Sequence, residues 1–130
     1  MTARILLLFC LAIVPALAFA GEGSEKAFVK KRYKIDGTAS IEKVEGKTVL
    51  VFSDDFKTKN GPDLKVYLSK TPLTSLSAGD VNMNATRISV LKSHKGSQEY
   101  IIPENIDLSE YESVVIQCEA YSVLWGGFDL

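Results

Sequence analysis

Cysteine and histidine are nearly absent from this 130-residue chain, which holds two of the first and one of the second. Sites built on two histidines, such as His-rich zinc hydrolases and blue-copper centres, are therefore excluded. Cys10 and Cys118 lie far apart, which leaves no CxxC redox pair, no CxxCH haem attachment and no iron–sulfur cluster. There is no GxGxxG or phosphate-loop pattern. No excess of basic charge exists either: 15 Lys and Arg face 16 Asp and Glu, where a nucleic-acid surface would need a basic stripe. Amphipathic runs of helix length are missing as well, which turns attention to strands.

What is present begins with an apolar N-terminus. Among residues 1–20 only Thr2, Arg4 and Pro15 are not apolar. Arg4, the run Ile5–Val14 and the small-x-small triplet Ala18-Phe19-Ala20 make this segment a secretory signal, cleaved after Ala20. The run is shorter than the ~20 residues that span a bilayer, so no membrane span is expected once the signal is removed. Cleavage takes away Cys10 and Arg4, moves the net charge from −1 to −2 and leaves Cys118 as the one thiol of an exported chain. Such a thiol is buried, shared with a partner, or functional. The basic cluster Lys26, Lys30-Lys31-Arg32 and Lys34 reads as a solvated leader.

The remainder is of one-domain length. Residues 21–30 form a lead-in, and a single antiparallel β-sandwich or β-barrel is expected over 31–130, with no helix beyond about two turns. Residues 39–44 and 48–52 should form a hairpin about Glu45-Gly46, where glycine permits positive φ. Leu64, Val66 and Leu68 alternate onto one face. The segment 69–86, rich in Ser, Thr, Asn and Ala, reads as the least ordered part. Residues 87–91 and 98–102 are expected to pair around Ser93–Ser97, with Pro103 ending the second strand. The clearest strand runs from Ser113 to Tyr121, and Trp125-Gly126-Gly127-Phe128 reads as core closure.

Strand parity places Cys118 with Val114 and Ile116, facing the core, and Gln117, Glu119 and Tyr121 on the other side. Free cysteine behaves as a small buried hydrophobe, and a functional thiolate needs positive or hydrogen-bonding neighbours. His94, in a Lys-Gly turn, reads as a solvated loop residue, as do Asp54-Asp55, which are too few for calcium. Asn84-Ala85-Thr86 is an N-glycosylation sequon.

The stretches Gly37-Thr38-Ala39, Asp55-Phe56, Asn60-Gly61-Pro62-Asp63-Leu64-Lys65-Val66-Tyr67-Leu68-Ser69, Tyr100–Pro103 and Val114–Leu130 together resemble the DM-thirteen domain, an electron-transfer family. The resemblance covers about Lys31 to Leu130 and puts the family's characteristic cysteine on Cys118. It implies a cell-surface or periplasmic redox module that works with a partner protein, Cys118 serving as a bare thiol or as the ligand of a group such as haem. Tyr121 and Trp125 are then the cofactor-side neighbours, and His94, Met83 and Tyr121 the candidates for a second axial ligand. Two other readings stand beside it. One is a non-catalytic extracytoplasmic β domain that binds a cell-surface partner with Cys118 as packing. The other is a Cys118-linked dimer, disfavoured by the inward parity.

Overall fold

Glu45 and Gly46 carry φ of +51° and +78°, the two left-handed residues of a two-residue hairpin turn whose twist matches the flanking strands. This is the expected hairpin. The computed structural model describes residues 24–130; the expected signal segment 1–20, with Cys10 and the expected cleavage after Ala20, lies outside the described residues. Along the chain come β1 (Lys26–Ala27), β2 (Val29–Lys30), β3 (Ile35–Asp36), β4 (Thr38–Val44), β5 (Lys47–Phe52), β6 (Lys57–Thr58), β7 (Leu64–Ser69), α1 (Ala78–Asn84), β8 (Thr86–Val90), β9 (Gln98–Ile101), β10 (Ser113–Cys118) and β11 (Val123–Asp129).

All pairings of these strands are antiparallel. One sheet has the order β1-β4-β5-β9, the other β2-β11-β10-β7-β8, and β3 pairs β6 beside them. The two sheets enclose one apolar core, to which Leu50 and Phe52 contribute from the first sheet and Val66, Leu68, Val114, Ile116 and Phe128 from the second. Sealing each such large side chain from water contributes about 1.5–3 kcal/mol. Phe28 stands edge-on to Phe52 and Phe128, with centroids 5.0 and 5.3 Å away, the geometry that aromatic quadrupoles favour. Among the described residues, no helix is long and apolar enough to cross a membrane.

β11 lies between two neighbours, and its glycines make that possible. A Cβ on Gly127 would stand 2.1 Å from the Val114 carbonyl oxygen, and one on Gly126 2.5 Å from that of Val29. Both distances are far inside van der Waals contact, so glycine is needed for the close backbone approach.

Four local expectations change. Residues 87–91 and 98–102 do not pair with each other: β8 pairs β7 and β9 pairs β5, in different sheets. The turn between them is real, with Gly96 at φ +90°, but it carries the chain from one sheet to the other. The segment 69–86 is ordered, a 3-10 turn at Leu73–Ser75 followed by α1. Ser77 caps α1 by accepting from the Asp80 N–H, and Leu73, Leu76 and Val81 pack on Tyr67, Val115 and Leu124. The last strand ends at Cys118, because Glu119–Ser122 form a turn before β11. The lead-in also contributes: β2 pairs β11, and Phe28 is buried in the core.

Candidate functional site

Cys118 closes β10, opposite Leu64 of β7 on one side and Val123 of β11 on the other. It is 1% exposed and packs in the same cluster as Val114, Ile116, Leu64 and Trp125, so the inward parity holds. The chain then turns at once. The Glu119 N–H donates to the Asp63 carbonyl at 3.0 Å and the Ala120 N–H to the Asp63 carboxylate at 2.8 Å. Asn82 Nδ2 donates to Ser122 Oγ at 2.6 Å, and Ser122 takes φ of +51°. The turn is thus clasped from two sides, by the loop before β7 and by α1.

The loop Asn60–Asp63 covers this end of the sandwich. A Cβ on Gly61 would meet Leu64 and the Trp125 indole at 3.0 Å, so the bare glycine backbone rests on both. Beside the loop lies a cleft of about 300 Å³ lined by Asn60–Leu64 and by Val90–His94. Leu64 is both a wall of this cleft and the strand partner of Cys118, and Cys118 itself does not line the cleft.

Charge gathers on the opposite face of the same strands. Lys65 Nζ lies 2.7 Å from Glu119 and 3.2 Å from Asp63, Arg87 is 3.4 Å from Glu119, and the Tyr67 hydroxyl donates to Glu119 at 3.2 Å. The hydrogen bond from Lys65 holds the Glu119 carboxyl below its usual range, and the same bond raises the Lys65 ammonium. Burial, together with the Glu119 charge, pushes the Tyr67 phenol up. Glu119 is therefore balanced by cations, on the face away from the sulfur.

Trp125 is the residue at which the β10–β11 ladder slips, between Ile116↔Gly126 and Gln117↔Leu124. Its indole N–H donates to the Thr58 hydroxyl at 3.1 Å, which donates on to the Lys34 carbonyl at 2.8 Å. Its ring packs on Tyr33 with centroids 4.1 Å apart. Of the aromatic tail, Trp125 alone shares the Cys118 end of β11; Phe128 pairs with Val114 near the other end, and Tyr121 is 71% exposed in the turn.

The residues do not fit haem. Cys118 is sealed among apolar side chains, while the proposed second ligands scatter: Met83 is 82% exposed on α1, Tyr121 faces solvent, and His94 lines the cleft beyond Leu64. No two of them converge with the sulfur on one space. Asp63, the residue that clasps the turn, stands in the Asn60–Ser69 stretch that carries the family resemblance, but its partners Glu119 and Ala120 were not visible in sequence.

A family model described as "Electron transfer DM13" matches residues 27–130. Neither the curated proteins nor the solved structures contain a match.

Proposed function

The chain belongs to the electron-transfer DM13 family, and from that premise we propose that it is an exported redox module in which Cys118 reacts as a bare thiol. The observation that carries this reading is the position of Cys118 directly before a four-residue turn that Asp63 clasps at Glu119 and Ala120. Access to the sulfur then requires the opening of one turn and its covering loop, a local event that costs less than unfolding the sandwich. A lone thiol has one exchange reaction open to it without an added oxidant. Its thiolate attacks a partner's disulfide, a mixed disulfide forms, and the partner's second sulfur leaves as a thiolate that takes up a proton.

The test is native thiol titration with an aromatic disulfide reagent. Slow labelling is expected in the wild-type protein, with a clear acceleration in Asp63→Ala while the melting transition stays cooperative. Labelling that proceeds only at the global unfolding rate in both proteins overturns the reading.

A second reading is favoured by the 1% exposure of Cys118 in apolar surroundings: a non-catalytic binding domain in which the sulfur fills core volume. Under it, Cys118→Ala costs only a small cavity and leaves function in place.

A further inference from the structure

We propose that the face formed by Lys31, Arg32, Lys59 and Tyr33 docks an acidic segment of a partner protein. The chain as a whole is slightly negative, yet residues 26–34 hold five cations and no anion. Such a cluster on a mobile leader would be solvated and unspecific, but here the backbone is fixed. The N–H groups of Lys31, Arg32 and Tyr33 all donate to the Trp125 carbonyl, at 3.1, 3.0 and 3.2 Å. Two cations from separate segments then meet on one ring: the Arg32 guanidinium lies 5.9 Å and the Lys59 ammonium 4.8 Å from the Tyr33 centroid. None of the ion pairs among the described residues involves Lys31, Arg32 or Lys59, whereas Lys65 and Arg87 are matched by Asp63 and Glu119.

Lys31 and Arg32 also line a shallow recess of about 380 Å³ with Leu76, Val123 and Leu124. Fixed, unmatched cations beside an apolar floor fit a segment in which carboxylates flank an apolar side chain. Leu76 and Leu124 in its floor are buried, an arrangement that suits an inserted side chain better than a bilayer, which protruding apolar residues would enter. The inference concerns binding, and it goes beyond the chemistry assigned to Cys118.

The experiment is calorimetric titration of the mature protein with a synthetic peptide in which Glu alternates with Leu. A peptide with Lys in place of Glu, and vesicles of phosphatidylglycerol in phosphatidylcholine, serve as competitors. Binding of the acidic peptide is expected, weakened severalfold by raised salt and by at least about tenfold in Arg32→Glu/Lys59→Glu. Lys47→Glu, on β5 in the other sheet, should leave it unchanged. Near-ultraviolet circular dichroism confirms that each variant is folded. Cys118→Ala should bind as the wild type does, so loss of the redox reading and loss of this one are told apart. Equal affinity for the basic peptide, indifference to the double variant, or preference for the vesicles overturns the proposal.

Discussion

The two faces of β10 are equally dry and chemically unlike. Val114, Ile116 and Cys118 point into the core between the sheets, and Val115 and Gln117 point under α1; none is more than 1% exposed. The inner face packs the sulfur in an apolar cluster. On the outer face Gln117 donates to the Ala78 carbonyl and to Asn82, at 3.1 and 2.7 Å, while its own Oε1 has no partner. One residue further, Glu119 meets Lys65, Tyr67 and Arg87. A sheet therefore separates the charges from the thiol, and proximity in sequence gives Cys118 no electrostatic help. Under the proposed thiol exchange, access to the sulfur comes from opening of the turn and its covering loop.

The strongest way to break this arrangement is to force the faces apart. Gly127→Val drives a side chain into the Val114 carbonyl and should cost more than about 4 kcal/mol, seen as loss of the cooperative denaturant transition. Val114→Ala and Val115→Ala then compare the two faces with the same chemistry. Each should cost about 1.5–3 kcal/mol, with the inner change the larger, because a seven-residue α1 relaxes into a cavity more easily than two sheets do. Equal midpoint shifts in urea would show that the α1 cover is as rigid as the core. Gln117→Met removes the unpartnered Oε1 but also both bonds that Nε2 donates to Ala78 and Asn82, and should cost about 1 kcal/mol in urea denaturation. The smallest effect is expected from pH. The Glu119 carboxyl lies below its ordinary value of 4.5, held there by Lys65. Its contribution is full above about 4.5 and disappears as pH falls through the folded value. Acid titration of Glu119→Gln should therefore show a shallower loss of stability over that window.

What was legible in the sequence is what local pattern determines. The β4–β5 hairpin follows from alternation around a left-handed Glu-Gly pair, and the inward direction of Cys118 follows from parity with Val114 and Ile116. The all-β sandwich-like class followed from the lack of helical periodicity. Non-local choices were not legible. β8 and β9 flank a glycine turn and look like a hairpin, yet each gains a better partner in β7 and β5, and nothing near the turn signals this. The order of 69–86 rests on three buried side chains, Leu73, Leu76 and Val81, too widely spaced to give a helical stripe. At the site, the stretch that begins Asn60-Gly61-Pro62-Asp63 could be singled out by the family resemblance. Its clasp on the turn after Cys118 joins residues 57 positions apart, and only the fold brings them together.

The position of β11 has a consequence for how the domain is made. It follows every other described strand in the chain, yet it occupies an interior place between β2 and β10. A nascent polypeptide can form the β4–β5 hairpin early, but the five-stranded sheet stays split until residues 123–129 emerge. Pairings of such long sequence separation form slowly. The domain should therefore remain unfinished until that point, with the strand edges of β2 and β10 open to chaperones.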